Sequence, residues 1–200
     1  MTRTLPRDVK AAIRSRVRAV LAGVSSGEAA EASTRACALL RAQPIWRESK
    51  SILFYAPLAQ ELDLSPLMTD ALISDKTVAL PRFIAETGQY AAFQVTNPAD
   101  GLTRGNFGIL EPLSTAPSVP VNQLDLALVP GIAFDMCGRR LGRGKGFYDR
   151  LLAAVPGAKC GVAFDQQVVG EIPVESHDIV MNFILTPTRW LAFRQSAACE

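Results

Sequence analysis

Residues 126–152 read LALVPGIAFDMCGRRLGRGKGFYDRLL, and the order of elements in this stretch decides the fold. The stretch begins with an apolar run that ends at Pro130 and Gly131, a pattern typical of a buried strand that stops at a turn. It ends with Phe147, Leu151 and Leu152 at positions i, i+4 and i+5, a spacing that predicts a helix with one buried side. A strand, a glycine-rich loop and a helix are therefore expected to follow one another directly.

The loop between this strand and this helix predicts an anion site. Four glycines alternate there with four cations, namely Gly138, Gly142, Gly144 and Gly146 with Arg139, Arg140, Arg143 and Lys145. Glycine lacks a Cβ, so its backbone N–H can turn toward an anion and be approached closely, while guanidinium and ammonium groups neutralise phosphate oxygens. A glycine loop that leads into a helix N-terminus has the geometry to bind phosphate.

Two common phosphate-binding patterns do not fit this loop. A P-loop needs four residues between its first glycine and a Gly-Lys pair that Ser or Thr follows, but five residues separate Gly138 from Gly144, and Gly146 follows Lys145. The dinucleotide pattern G-x-G-x-x-G would put its last glycine at Phe147. A basic surface loop without a ligand remains the alternative.

Composition favours one globular domain. The chain has 200 residues, of which 48% are hydrophobic, and its formal net charge of +2 is too small to indicate a nucleic-acid-binding protein. We expect no zinc site, because the cysteines form no C-x-x-C pair and there is one histidine; these residues are Cys37, Cys137, Cys160, Cys199 and His177. The N-terminus lacks an apolar leader and no run approaches the ~18 residues of a membrane span, so we expect reduced thiols in a cytoplasmic protein.

Two N-terminal helices are predicted within residues 1–45. In residues 6–22 an apolar stripe lies beside a basic stripe, so the cations border the buried face and can lean over a site; a solvated basic flank is the alternative. The apolar stripe contains Val9, Ile13, Val17 and Val20, and the basic stripe contains Arg7, Lys10, Arg14 and Arg18. The second helix begins at Ser25 or Ser26 with a capping box that includes Glu28, and it runs to about residue 42.

A strand, a helix and a strand are predicted in residues 51–80. The first strand covers residues 51–56, Ser65 caps the helix, and the second strand covers residues 77–80. This order is the βαβ unit of a parallel sheet.

Further buried strands are predicted at residues 158–164 and 183–186. Ligands of open parallel sheets bind beyond the carboxyl ends of the strands. Glu61, Arg82 and the glycine loop are expected to meet at that edge.

Residues 88–121 are predicted to form an irregular flap, because turn residues are frequent there, although residues 90–95 are compatible with a strand. Four aromatic side chains in and near the flap suit a clamp for a flat ring, namely Phe83, Tyr90, Phe93 and Phe107. Scattered aromatic residues more often belong to a core, so both interpretations stay open.

A long, ordered set of short stretches carries a family resemblance. Residues 129–135, VPGIAFD, and 138–150, GRRLGRGKGFYDR, are its main part. Lys10 and Arg14, residues 55–63, Leu80-Pro81-Arg82, residues 107–112 and His177-Asp178 agree with it along most of the chain. With these stretches the chain resembles the 5-formyltetrahydrofolate cyclo-ligases, also called 5,10-methenyltetrahydrofolate synthetases. The resemblance implies one α/β domain over residues 1–200, built on an open, mostly parallel twisted sheet with helices on both faces. This is a three-layer, Rossmann-like arrangement of the phosphosugar isomerase and CoA-transferase type.

The resemblance also implies an activity. The family closes 5-formyltetrahydrofolate to 5,10-methenyltetrahydrofolate with ATP and releases ADP and phosphate, through phosphorylation of the formyl oxygen and attack by N10. ATP as co-substrate and Mg²⁺ are implied with it. The expected partners are these two small substrates, without nucleic acid or membrane, and we expect a monomer while a dimer stays open.

Particular residues receive roles from the same resemblance. Arg140, Arg143 and Lys145 are the catalytic phosphate ligands, and the ATP-binding set is Lys10, Arg14, Arg140, Leu141, Gly142, Arg143, Gly144, Lys145, Gly146, Phe147 and Tyr148. Glu61 and Tyr148 are assigned to the pterin and formyl region, since a carboxylate accepts two parallel N–H bonds from an aminopyrimidine. Asp149 and Asn182 are assigned to Mg²⁺. The family usually carries an aspartate where Asn182 stands, so the amide would coordinate without a negative charge.

Two other functions remain open from the sequence. A non-catalytic regulator that binds a nucleotide or a phosphosugar would use the same cationic loop on a similar sheet. Nucleic-acid binding through the basic stripe of the first helix is disfavoured, because no aromatic residues interleave with its cations. ADP release that depends on 5-formyltetrahydrofolate separates the enzyme from both.

Overall fold

A computed structural model describes residues 6–105, 108–175 and 178–193. Helices in this part of the chain are α1 (Pro6–Leu21), α2 (Ser26–Arg41), α3 (Pro44–Glu48), α4 (Ser65–Ile73) and α5 (Phe147–Ala153). The strands are β1 (Ser51–Leu53), β2 (Thr77–Ile84), β3 (Gln89–Gln94), β4 (Leu102–Arg104), β5 (Leu110–Pro112), β6 (Leu126–Pro130), β7 (Ala133–Asp135), β8 (Arg140–Leu141), β9 (Ala158–Val162), β10 (Val168–Val169), β11 (Phe183–Leu185) and β12 (Trp190–Ala192).

A seven-stranded sheet forms the centre of the fold, in the order β12-β11-β9-β6-β1-β2-β3. The five inner strands pair in parallel, and the two edge strands, β3 and β12, pair antiparallel with their neighbours. The chain moves from β1 to β2 on one side and returns to β6 on the other side of β1. The prediction of an open, mostly parallel sheet is confirmed, and its topological switch point lies between β1 and β6.

Helices cover both faces of the sheet. Successive strand residues point to opposite faces, so Leu128 of β6 packs in the core under α1, α2 and α4, whereas Val129 packs in a second core with Leu151 and Leu152 of α5. The three-layer architecture follows from these two apolar cores. Near-continuous burial of β6 fits a strand covered on both faces.

The ends of two helices test the capping predictions. Ser25 and Glu28 form the predicted capping box of α2, with the Glu28 N–H donating to Ser25 Oγ over 3.3 Å and the Ser25 N–H donating to Glu28 Oε2 over 2.9 Å. Ser65 is not the cap of α4: Leu64 holds that position without a side-chain hydrogen bond. The Ser65 N–H donates instead to Asp63 Oδ1 over 2.8 Å.

The apolar stripe of α1 ends differently from the prediction. Val20 is exposed, and Leu21 packs in the core in its place. Lys10 is buried on the same side as Ile13 and Val17. One predicted cation therefore joins the buried face of the helix.

The segment 88–121 is more regular than the predicted flap. β2 continues through Pro81 to Ile84, and β3 pairs with it along six residues. β4 and β5 form a separate hairpin, which Arg82 joins to β2 because Arg82 Nη1 donates to Pro112 O over 3.2 Å. Phe107 lies outside the described residues.

The glycine-rich stretch is also partly regular. β7 and β8 pair antiparallel, and β10 pairs with β7 in parallel, so residues 133–135 and 140–141 belong to a small second sheet of three strands. Cys37 and Cys160 are free and buried. Cys137 is disulfide-bonded, so the expectation of reduced thiols is wrong for this residue.

Candidate active site

A cavity of about 450 Å³ opens at the carboxyl ends of the parallel strands, beside the switch point. Its size lies within the range of small-molecule sites. The segments after β1 and β6, the end of β5 and the glycine loop all contribute walls. The lining residues are Ala56, Leu58, Glu61, Pro81, Tyr90, Ile109, Leu110, Glu111, Pro130, Gly131, Arg140, Gly142, Arg143, Lys145, Gly146, Phe147, Tyr148 and Asp149.

The backbone of the loop uses glycine where other residues would be strained. Gly144 has φ +95° and Gly146, the residue before α5, has φ +63°. Both angles lie in the region that L side chains disfavour. The loop can therefore turn into α5 within a few residues and keep Arg143 and Lys145 at the cavity.

Arg140 is buried below the loop. Its side chain is 4% exposed; Nη2 lies 2.9 Å from Asp149 Oδ1, and Nη1 donates to Pro130 O over 3.1 Å. The Nε atom has no hydrogen-bond partner among the described residues. Arg140 therefore joins the end of β6 to the first turn of α5, and much of its hydrogen-bonding capacity is already used.

Arg143 stands in a different environment. Its side chain is 52% exposed, and its Nη2 lies 3.0 Å from Glu61 Oε1 across the mouth of the cavity. Glu61 Oε2 accepts a hydrogen bond from the Leu58 N–H over 3.0 Å. The structure thus brings Glu61 and the glycine loop together, as predicted from the strand ends.

Aromatic side chains form one wall of the cavity. The Phe147 ring lies 5.5 Å from the Phe83 ring and 5.4 Å from the Tyr90 ring, and Tyr90 lies 6.3 Å from Tyr148. Lys145 Nζ lies 5.8 Å from the centre of the Phe147 ring. Burial, helped by the nearby Glu61 carboxylate, raises the pKa of Tyr148, so its hydroxyl stays protonated. Of the four aromatic residues in the predicted clamp, Tyr90 lines the cavity.

Two basic residues of α1 reach different targets. Arg14 Nε donates to Gly142 O over 2.9 Å, so this side chain touches the loop. Lys10 Nζ lies 3.0 Å from Glu175 Oε2 and 2.9 Å from Asp178 Oδ2. Burial alone would lower the pKa of Lys10, but these two carboxylates outweigh it and raise the pKa. The structure places Lys10 in an ion cluster outside the cavity, which does not fit its predicted contact with ATP.

The two predicted metal ligands are far apart in the fold. Asp149 lines the cavity. Asn182 stands at the amino end of β11, where its Oδ1 accepts a hydrogen bond from the Lys159 N–H over 2.8 Å and its N–H donates to Lys159 O. Strands β9 and β11 run parallel from there toward the cavity edge. These contacts do not support the predicted role of Asn182 as a Mg²⁺ ligand, because its amide joins the amino ends of two strands, away from the end of the sheet that opens on the cavity.

Within the described ranges, no group of three or more His, Cys, Asp and Glu side chains could hold a metal ion by itself.

Leu141 belongs to the predicted ATP-binding set but does not line the cavity, because it is buried in the main core. In the same ranges, no helix is long and apolar enough to cross a bilayer.

Glu111 is a site residue that the sequence reasoning missed. It is 4% exposed, it lines the cavity from β5, and its Oε1 has no hydrogen-bond partner among the described residues. Burial raises its pKa, although the Phe83 backbone N–H and the charge of Arg82 oppose the shift. The sequence does contain a signal for Glu111: it is a single acidic residue between Leu110 and Pro112. Residues 107–112 carried part of the family resemblance, but Glu111 was assigned no function.

The fold and the cavity define a class of protein: an open α/β sheet with a ligand cavity at its switch point, walled by aromatic rings and bordered by a cationic glycine loop. The model of the 5-formyltetrahydrofolate cyclo-ligase family matches residues 6–187. The chain belongs to this family.

Individual relatives agree with this membership. A 5-formyltetrahydrofolate cyclo-ligase of Haemophilus influenzae is 32% identical over 177 residues, which cover 85% of this chain and 91% of that protein. One of Escherichia coli K12 is 35% identical over 133 residues, which cover 64% of this chain and 73% of that protein. The NMR structure of Aquifex aeolicus 5,10-methenyltetrahydrofolate synthetase superposes with a TM-score of 0.84 at 34% identity, over 96% of each chain.

Proposed function

We propose that this chain is an ATP-dependent cyclo-ligase that converts 5-formyltetrahydrofolate to 5,10-methenyltetrahydrofolate, with release of ADP and phosphate. The observation that carries the proposal is one cavity with two chemically different sides. Exposed Arg143 and Lys145 border it on the loop, and the rings of Tyr90, Phe147 and Tyr148 form its wall. A polyphosphate and a flat heterocycle can therefore meet in the same space.

The reaction needs no nucleophilic side chain. The formyl oxygen attacks the γ-phosphorus of ATP, the bond from that phosphorus to the bridging oxygen breaks, and ADP leaves. The N5-iminium phosphate that results is attacked at carbon by N10, which then loses its proton as the C–O bond breaks and phosphate departs. Positioning and charge neutralisation account for most of the rate in such phosphoryl transfers.

The residues divide into contact and positioning roles. Arg143 and Lys145 neutralise the transferred phosphoryl group, because both cationic residues line the cavity. Arg140 holds the loop in place through its contacts with Asp149 and Pro130. We therefore assign it a positioning role, whereas the resemblance implies that it binds phosphate directly. Arg14 supports the same loop through Gly142 O.

Mg²⁺ fits this cavity as an ion that arrives with ATP. Magnesium is usually held by one or two carboxylates, substrate phosphates and water, and Asp149 supplies a carboxylate beside the cationic loop. Bound there, the ion would offset charge on the phosphates. Asp149 would then share its negative charge between the ion and Arg140.

The test is formation of the methenyl product, followed by its absorbance, from 5-formyltetrahydrofolate with and without Mg-ATP. We expect product and stoichiometric ADP when both substrates are present. ATP binding without folate-dependent ADP release would overturn the proposal and favour the alternative, a nucleotide-binding regulator. Arg143→Ala is the matched control with impaired ATP use, since this exposed side chain can be removed at small cost to the fold.

A further inference from the structure

We infer that Glu111 determines folate specificity by accepting hydrogen bonds from the 2-amino and N3 hydrogens of the pterin ring. The inference rests on the proposed function and assigns this recognition to a residue of β5 instead of Glu61.

The starting observation is a buried carboxylate that accepts a hydrogen bond from the Phe83 backbone N–H but keeps one oxygen without a partner among the described residues. Glu111 is 4% exposed and lines the cavity, yet its Oε1 has no partner among the described residues. Buried polar atoms in proteins are almost always hydrogen-bonded, and leaving one unpaired is unfavourable. A ligand that brings a donor to this oxygen removes that cost, so the free protein is arranged to select such a ligand.

The folate is the substrate whose chemistry fits. The pterin of a tetrahydrofolate presents its 2-amino group and N3–H side by side, and a carboxylate accepts two parallel N–H bonds. Adenine has an acceptor nitrogen next to its amino group, so it cannot offer two parallel donors. The phosphates of ATP would be repelled by Glu111.

The Glu111 carboxylate shares its cavity with a wall of aromatic rings. Tyr90 of β3 and Glu111 of β5 line the same cavity. Tyr90 in turn contacts Phe147 and Tyr148. A pterin whose face lies along these rings can therefore reach Glu111 with its edge.

Glu61 is less suited to this role. Its Oε1 is paired with Arg143 and its Oε2 with the Leu58 N–H. The Glu111 carboxylate lies against the backbone of Gly105. A Cβ atom at residue 105 would lie 2.2 Å from Glu111 Oε2. The backbone at Gly105 thus leaves the space that the Glu111 carboxylate fills.

The experiment compares two ligands with and without the carboxylate. Binding of 5-formyltetrahydrofolate and of its 2-desamino-2-methyl analogue is measured by calorimetry without ATP, for the wild type, Glu111→Gln, Glu61→Gln and Glu86→Gln. Glu86 is exposed in the β2–β3 turn outside the cavity and is the control for loss of one charge. Thermal melting confirms that each variant is folded.

We expect the wild type and Glu86→Gln to bind the analogue at least ~10-fold more weakly than the substrate, the size expected for a hydrogen bond to a charged group. Glu111→Gln should bind the substrate ~10-fold or more weakly, with less than ~3-fold discrimination, and should keep its affinity for ATP. A merely structural residue would weaken both folates equally and preserve their ratio.

Three results would overturn the inference. Equal discrimination in Glu111→Gln and the wild type means that Glu111 does not contact the 2-amino edge. Loss of discrimination in Glu61→Gln alone assigns that edge to Glu61. Both results leave the proposed function intact, whereas a wild type that binds ATP but no 5-formyltetrahydrofolate overturns the proposed function and this inference together.

Discussion

Arg140 Nη2 lies 2.9 Å from Asp149 Oδ1, and this ion pair ties the beginning of the glycine loop to its end. The Arg140 side chain is almost fully buried, so the pair lies where solvent screens it little. Pro130 O accepts a second hydrogen bond from the same guanidinium. The shape of the cationic loop therefore depends on two side chains beneath it.

Removing the Asp149 carboxylate should lower both stability and turnover. Asp149→Ala leaves the Arg140 charge buried without its ion partner, so we expect the free energy of unfolding to fall by roughly 3 kcal/mol. Asp149→Asn retains a hydrogen-bond acceptor and should be less destabilised. Urea unfolding and turnover measured on both variants check this. If Asp149→Asn turns over like the wild type across a Mg²⁺ titration, Asp149 does not carry the proposed metal role.

Arg143 and Glu61 should have opposite effects on ATP. Arg143→Ala removes a phosphate ligand, so we expect ATP to bind about tenfold more weakly, equivalent to ~1.4 kcal/mol. Glu61→Gln removes the carboxylate that competes for Arg143, so ATP should bind more tightly. Both variants should lose less than ~1 kcal/mol of stability, since the pair is partly exposed. Equilibrium binding of a non-hydrolysable ATP analogue is the measurement, and weaker binding by Glu61→Gln would contradict the competition.

Two glycines with nearly the same backbone angle allow strain to be separated from function. Gly146 has φ +63° and Gly88 has φ +65°, but Gly146 lines the cavity while Gly88 lies in the β2–β3 turn. An alanine at either position should cost ~1 kcal/mol of stability. Gly146→Ala should also raise the KM for ATP, because its new Cβ alters the loop, whereas Gly88→Ala should keep wild-type kinetics. Identical kinetics for both variants would argue against a role of the Gly146 backbone in ATP binding.

Glu111 should make stability depend on pH in a definite direction. Burial raises its pKa, so the folded protein holds this proton more tightly than the unfolded chain does. Stability is therefore highest below the unfolded pKa of ~4.3 and decreases as pH rises through the folded pKa. Glu111→Gln lacks this decrease, so its unfolding free energy should improve relative to the wild type between pH 4 and neutral. A difference that stays constant with pH would show that Glu111 does not titrate with a raised pKa.

Local patterns predicted much of the fold. Apolar runs located β1, β6, β9 and β11, and the Ser25–Glu28 capping box located the start of α2. Each of these signals is contained within a few residues, because strand burial and helix capping are local effects. The extension of β2 beyond Pro81 could not be read in this way, because it depends on pairing with β3.

The sequence could not predict the roles of site residues that depend on contacts between distant parts of the chain. Lys10 looked like a solvated or ligand-binding cation, but its partners stand 165 and 168 residues away. Asn182 was assigned to Mg²⁺ by comparison with a family pattern. Its hydrogen bonds with Lys159 instead put it at the amino ends of β9 and β11. Glu111 Oε1 lacks a hydrogen-bond partner among the residues that the structure describes, and this too is a property of the folded surroundings.

The Lys10 cluster has a consequence for how the chain is made. α1 leaves the ribosome before its ion partners are made, because Glu175 and Asp178 lie 165 and 168 residues beyond Lys10. The helix can form before then, yet Lys10 cannot meet its carboxylate partners until residues 175–178 have been translated, and such distant contacts are slow to close. A nascent chain arrested before residue 175 should therefore leave the Lys10 ammonium without these two carboxylates, so α1 should dock less stably beside the glycine loop that Arg14 supports.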